Sequence, residues 1–252
     1  MNFIKDINSK QLYKKYYSMA ENLYYGQVQK TRFLNPYEAE LVISILNKFK
    51  LFYKLYLSHE NAERRLIFFS EIDFNLEEFL ADSTAILVFD KKNHELNHRD
   101  VLGALMSLGI ERDLIGDILL NEDKVEISVL REVADFIRFN LDSIKKLSVD
   151  LYEKDSFFMD QSLIKFKDFV ITISSLRLDS FVSASINTSR SQAKNLILKD
   201  YVKLNYQLNS DPSSQVNESD SISIRGHGRY YFQELLNKTR KDKYRLSVRK
   251  LI

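Results

Sequence analysis

A chain of 252 residues, 44% of them hydrophobic, can bury a real core and is too apolar for wholesale disorder. It has no cysteine, no apolar run of the roughly 18 residues a membrane-spanning helix needs, and charges scattered through its first residues. Disulfides, thiolate metal sites, a cysteine nucleophile, a membrane anchor and a secretory signal are therefore not expected, and a cytoplasmic location is. The net charge of +2 hides an asymmetry: residues 174–252 carry 14 Lys and Arg against 7 Asp and Glu, whereas residues 1–173 carry 23 against 28, which gives +7 on a body of −5.

Residues 9–25 carry Leu12, Tyr16, Met19 and Leu23 at helical spacing and predict an amphipathic helix. A loop then runs to Asn35, where Pro36 opens a second helix through Lys48. Residues 51–58 and 64–70, separated by the polar His59-Glu60-Asn61, read as a hairpin. Thr84–Asp90 predicts a strand, and 97–108 a helix with Val101, Leu102, Leu105 and Leu108 on one face and Gly109 as its stop. Residues 116–120 and 124–129 read as a strand pair joined by Asn121-Glu122-Asp123. A helix over 132–140 and a strand over 147–153 complete a mixed body of about 150 residues. Residues 154–168 are expected to be irregular, 169–173 to form a short strand, and the change of composition at Ser174-Ser175 to mark a boundary. The expected divisions are thus 1–80, 81–173 and 174–252.

Beyond that boundary, 177–184 predicts a short helix with Leu178, Phe181 and Val182 inward. Ser189 and Gln192 form a capping box for a helix to about Lys199, on which Arg190 and Lys194 project from one side. Strands are expected over 201–204, 221–225 and 229–232, with Gly226-His227-Gly228 turning between the last two; residues 209–221 read as an ordered polar connector. Two short helices on a small sheet leave room for one cationic face holding Arg177, Arg190, Lys194, Lys203, Arg225 and Arg229. Such a face neutralises phosphates and releases counterions, which supplies most nucleic-acid affinity. Arginine adds bidentate contacts, and the helix end at Ser189 adds backbone N–H donors.

The segment RLDSFVSASINTSRSQAKNLILKDYVKLN, with Pro212-Ser213, Val216, Asp220 and the later IRGHGRYYF, resembles the RNA-binding domain first known from small-subunit ribosomal protein four, the S-four domain. The resemblance covers about 60 residues and implies RNA-binding roles for Arg177, Ser189, Arg190, Ser191, Lys194, Lys203, Asn205, Arg225 and Arg229. Three positions depart from it. Asp200 and Tyr206 stand where glycines are usual, and Glu218-Ser219-Asp220 lacks the glycine before its Asp; the turns are still expected to form, since Asp and Asn tolerate left-handed backbone. A second resemblance rests on His98-Arg99-Asp100-Val101-Leu102-Gly103-Ala104-Leu105, Leu108-Gly109-Ile110-Glu111-Arg112 and Ile115-Gly116-Asp117-Ile118: these are similar to the body of the bacterial YlmH family. That family joins an α/β plait-like region assigned to RNA binding to a C-terminal S-four domain. It implies an α+β fold, association with the large ribosomal subunit and with peptidyl-tRNA on stalled subunits, and a link to division proteins.

Competing chemistries fail on spacing. His98-Arg99-Asp100 resembles a kinase catalytic loop, but Leu105 stands where the metal-binding Asn belongs and no glycine-rich phosphate loop precedes it. Asn97 or Asp100 reads instead as a helix cap. Arg177-Leu178-Asp179 resembles the catalytic segment of pseudouridine synthases, yet no synthase domain accompanies it, so Asp179 reads as a salt-bridge or cap residue. The four histidines lack metal-ligand spacing, Gly103, Gly109 and Gly116 form no dinucleotide fingerprint, and the aromatic runs at 49–56 and 66–74 read as core rather than as a base-stacking platform. The expectation is a non-catalytic RNA-binding protein of the ribosome, with no cofactor and no metal. A docking domain of an RNA-modifying enzyme and a division-associated adaptor using helix 9–25 are the alternatives.

Overall fold

The computed structural model describes residues 7–91, 94–161 and 166–251. Helix α1 spans Ile7–Glu21, four residues short of the expected end. Asn22 stops it by turning its side-chain amide onto the Ser18 carbonyl at 2.8 Å, which leaves Tyr24 and Tyr25 outside and exposed. After β1 (Gln29–Lys30), Asn35 and Glu38 exchange side-chain and backbone hydrogen bonds at 3.0 and 2.8 Å, and α2 (Pro36–Lys48) starts from that box. Strands β2 (Phe52–Leu57) and β3 (Arg65–Ser70) form the expected hairpin, with β1 on the far edge of β3. Period-two alternation along β3 builds two cores at once. Ile67 and Phe69 pack with Tyr16, Val42 and Ile45 under α1 and α2, while Leu66 and Phe68 join the core of the next layer.

That layer starts after the short α3 (Glu77–Leu80) with β4 (Thr84–Asp90). It continues through α4 (His98–Ser107), a 3-10 turn at Arg112–Leu114, β5 (Ile115–Leu120), β6 (Lys124–Leu130) and α5 (Arg131–Asn140). The expected strand over 147–153 is two pieces. β8 (Leu147–Ser148) folds back on β7 (Ser143–Ile144), whereas β9 (Tyr152–Glu153) adds to β4. The left-handed Lys145 between β7 and β8 makes the tight reversal that a continuous strand would not allow. Sheet order is β5-β6-β4-β9 with every neighbour antiparallel, so β4-α4-β5-β6-α5-β9 is an α/β plait.

Leu87 and Phe89 of β4 face Val101 and Leu105 of α4 and Ala134 and Ile137 of α5. Each fully buried Leu or Ile there is worth about 1.5–3 kcal/mol. The opposite face, Ile86 and Val88, is also covered. Residues 154–160 cross it, with the Lys154 N–H on the Ile86 carbonyl at 2.8 Å, the Met159 N–H on the Ser58 carbonyl at 2.7 Å, and Met159 packed on the sheet. Tyr56, whose hydroxyl donates to the Phe157 carbonyl, and Phe68 and Phe69 are buried in the core, while Phe52 at the start of β2 is exposed and Phe49, Tyr53 and Phe74 are half-buried. Of the expected irregular stretch, 154–161 is irregular, 162–165 lies outside the described residues, and 166–168 is strand.

The chain divides into two units, Met1–Leu163 and Ile164–Ile252. Phe33, Tyr56, Leu66 and Phe68 share one core with the plait, so no division falls near residue 80. The second unit begins about ten residues before the composition change, because β10 (Phe166–Ile173) pairs along its whole length with β15 (Tyr244–Leu251). Between them lie α6 (Leu178–Ser185), α7 (Arg190–Leu198), β11 (Val202–Leu204), β12 (Gln207–Leu208), β13 (Ser221–Ile224) and β14 (Gly228–Lys238). The sheet runs β10-β15-β14-β13-β11-β12. Phe181, Val182, Ala193 and Ile197 of the helices bury one face of it against Ile222, Tyr230, Phe232 and Val248. Asp200, Asn205, Tyr206 and Ser219 all take left-handed backbone (φ 57, 49, 68 and 71), so the turns form without the usual glycines. The connector 209–220 is ordered by Val216, which is buried and donates its N–H to Leu176.

Candidate nucleic-acid interface

Two arginines meet at one carboxylate in the second unit. Arg177 immediately precedes α6, and Arg190 opens α7. Asp179, in the first turn of α6, lies between them with its side chain 8% exposed. Arg177 donates from Nε and Nη2 at 3.2 and 3.0 Å, and Arg190 donates from Nη2 to both carboxylate oxygens at 2.9 and 3.0 Å. Burial pushes the Asp179 carboxyl up, but the two guanidinium partners outweigh it and hold it below the ordinary carboxylate value. Two positive charges share one negative one, and both arginine side chains stay partly open to solvent, 41% and 53% exposed. Asp179 is thus a salt-bridge residue.

The start of α7 is built as its sequence predicts. Ser189 accepts the Gln192 N–H at 3.2 Å, and Gln192 accepts the Ser189 N–H at 3.3 Å. The Ser191 hydroxyl lies 3.0 Å from that of Ser189. Lys194 is exposed one turn along, and Leu198 continues the same edge to Tyr201, over which the Arg225 guanidinium lies at 5.0 Å from the ring centroid. Tyr201 and Arg225 flank the buried pair Val202 and Ile224 on the alternate positions, whereas Arg177, Arg190 and Lys194 belong to the helical side.

Lys203 and Arg229 do not. Register places Lys203 beside Ser223 and Ser223 beside Arg229, alternating with the buried Val202, Ile222, Ile224 and Tyr230, so this row points away from α6 and α7. The Arg229 guanidinium donates to the Ser223 hydroxyl at 2.8 Å and lies over the Tyr206 ring at 4.9 Å; burial pushes its pKa below the usual arginine value. The single cationic face expected from the sequence is thus two faces, because strand alternation assigns Lys203 and Arg229 to the other side of the sheet. Asn205 is a turn residue: its amide donates to Asp220 at 2.7 Å and its carbonyl oxygen accepts the Ser221 N–H at 2.9 Å. Arg240, Lys241, Lys243, Arg245 and Arg249 contribute to the +7 balance but are not among the expected RNA-binding residues. They belong to the β14–β15 hairpin, and the run KTRKDKYR was the available signal.

In the first unit Asn97 and Asp100 cap α4 together, each accepting the other's backbone N–H, and Lys145 reaches Asp100 at 2.6 Å. Among the described residues, no group of three or more His, Asp or Glu side chains is placed to hold a metal ion, and no helix is long and apolar enough to cross a membrane.

Residues 75–157 match the family model described as "Putative RNA-binding domain in YlmH", and residues 176–222 match the S4 domain model. A Bacillus subtilis (strain 168) relative, "Ribosome-associated protein quality control protein P2", is 32% identical over 224 residues, covering 86% of this chain and 85% of the relative. The chain belongs to the YlmH family. Its YlmH-type region is the plait together with most of the strap that closes the outer sheet face, and its S4 domain is the pair α6–α7 with β11, β12 and the start of β13. Strands β10, β14 and β15 of this YlmH-family chain lie outside both matches. Among solved structures, "Cell division protein ylmH from Streptococcus pneumoniae" aligns with a TM-score of 0.49 at 19% identity, over 60% of this chain and 93% of that one.

Proposed function

We propose that the protein is a cytoplasmic, non-catalytic factor that binds ribosomal RNA of the large subunit, or peptidyl-tRNA upon it, in quality control of stalled ribosomes. The observation that carries this reading is the Arg177–Asp179–Arg190 arrangement beside the N-terminus of α7. A cation at a helix N-terminus opposes the helix dipole, and Asp179 offsets only part of the charge there. The surplus has a use if the site receives a phosphate: the guanidinium groups supply bidentate donors, and the first-turn amides of α7 add their own. Ser189, Ser191 and Lys194 surround that phosphate position. The ribosomal setting is supported by the name of the Bacillus subtilis relative. Binding without turnover is supported by Asp179, the carboxylate of the Arg177-Leu178-Asp179 segment, being held by two arginines.

Ribosome co-sedimentation followed by ultraviolet cross-link mapping tests the proposal. Cross-links from 177–194 to large-subunit RNA or to tRNA are the expected result. Failure to co-sediment with any ribosomal particle, or recovery of a modified nucleoside by mass spectrometry after incubation with ribosomal RNA, refutes it.

A further inference from the structure

The division of the cations between two sides of one sheet has a functional consequence. We propose that the sheet face turned away from α6 and α7, together with the β14–β15 hairpin tip, is a second RNA-binding surface that grips a stretch of phosphate backbone other than the one held at α7. This rests on the RNA-binding reading of α7 above.

Strand register lays out the surface. Lys203, Ser223 and Arg229 form one cross-strand row, and Tyr231, Arg249 and Asp168 form the next. Arg245 follows on the same side of β15, four residues from Arg249. Strand spacings make this face about 14 Å from β11 to β15, and about 13 Å from Arg249 to Arg245. The hairpin then carries the charge onward through Lys238, Arg240, Lys241 and Lys243, with Asp242 as the acid among them. Asp168 offsets Arg249 at 2.7 Å, and Asp242 offsets Lys238 at 2.9 Å; among the described residues the exposed Lys203, Arg240, Lys241, Lys243 and Arg245 have no such offset.

Aromatic rings brace cations of this face. Arg229 lies over Tyr206 at 4.9 Å and Arg249 over Phe166 at 5.2 Å, whereas the Lys238–Tyr244 pair lies on the core-facing side of the hairpin. Arg249 is held on Asp168 and the half-buried Arg229 on Ser223, so these braced cations order the face, and the exposed Lys203, Arg240, Lys241, Lys243 and Arg245 are the ones that would meet phosphate. A merely solvated charged face has no need of such bracing. The helix layer is about 10 Å thick, so a backbone segment seated on α7 does not reach this face. The two surfaces therefore take separate segments, and the strands outside the S4 match build much of the second.

The test uses the full chain carrying Arg240→Glu, Lys241→Glu and Lys243→Glu together, at exposed positions of the tip, against large-subunit ribosomal RNA over a salt series. Affinity should fall at least tenfold and the log–log salt slope should flatten by about 2 to 3, roughly one per lost phosphate contact. Cross-links from 177–194 should stay at the same nucleotides, while those from the tip disappear. If the reversed variant melts below the parent, the Gln versions of the three positions are measured instead. Unchanged affinity and slope overturn the proposal, and so does loss of binding to phosphatidylserine vesicles without loss of RNA binding. Cross-links from the two surfaces that map to one and the same RNA segment overturn it as well. Loss of binding in Arg190→Ala but not in the tip variant leaves the α7 site standing and removes the second surface; the opposite pattern removes the α7 site.

Discussion

Arg190→Ala separates binding from stability at the α7 site, and the structure gives both magnitudes. In the folded protein Arg190 gives two charge-assisted hydrogen bonds to a carboxylate that is only 8% exposed. Such bonds contribute about 1.5–3 kcal/mol when fully buried. Arg190 is itself 53% exposed, and Asp179 keeps Arg177, so solvent screening and the surviving partner reduce the expected loss to about 1 kcal/mol. For a unit the size of residues 164–252, that is a fall of about 4–8 °C in its melting temperature. RNA binding should weaken more, by about 1–3 kcal/mol, because the phosphate contact and the positioning of Arg177 are lost together. Lys194→Ala is the control: Lys194 is exposed on the same edge of α7, with no ion pair among the described residues, so it should weaken binding severalfold at unchanged melting temperature. Calorimetric melting and ribosome binding, measured on both variants, give the comparison. An Arg190→Ala protein that binds ribosomes as the parent does refutes the assignment of the α7 face, whatever its melting temperature.

RNA affinity should fall with salt at a log–log slope of roughly −3 to −5, for about five phosphates neutralised; a slope near zero in a filter-binding titration contradicts the phosphate reading. Ser189→Ala removes one half of the capping box and should lower stability by about 1 kcal/mol, read by chemical denaturation. Asp179 titrates below its unfolded value of about 3.9, so its contribution is present above that pH and is lost as pH falls through the lower folded value. Acid unfolding followed by circular dichroism should therefore show a component below about pH 4 that is absent in Asp179→Asn. Gly116→Ala places a Cβ 2.9 Å from the Phe33 ring and 3.0 Å from the Ser128 Cβ, which should destabilise the first unit by about 1–3 kcal/mol; an unchanged melting curve shows that the Phe33 ring gives way freely.

What could be read from the sequence is what neighbouring residues decide among themselves. The boxes at Ser189-Gln192 and at Asn97-Asp100 start helices because side chain and backbone satisfy each other within three residues, and the apolar run Thr84–Asp90 is a strand buried on both faces. Arg177 and Arg190 were likewise expected on one side, and two short helices suffice to bring them together, but that Asp179 would lie between them was not legible. Pairing between distant segments was not legible. Nothing local marks β15 as the partner of β10, more than 70 residues earlier, so the boundary read from composition fell late and no strand was expected over 244–251. The break between β8 and β9 follows from which strand each piece finds, not from the residues of 147–153 alone. The placing of Lys203 and Arg229 opposite Arg190 was decided by tertiary structure as well. Period-two alternation says only that neighbouring residues face opposite ways; which way is outward was settled when α6 and α7 packed on Ile222, Tyr230 and Phe232, because burying that apolar face left the charged one to water.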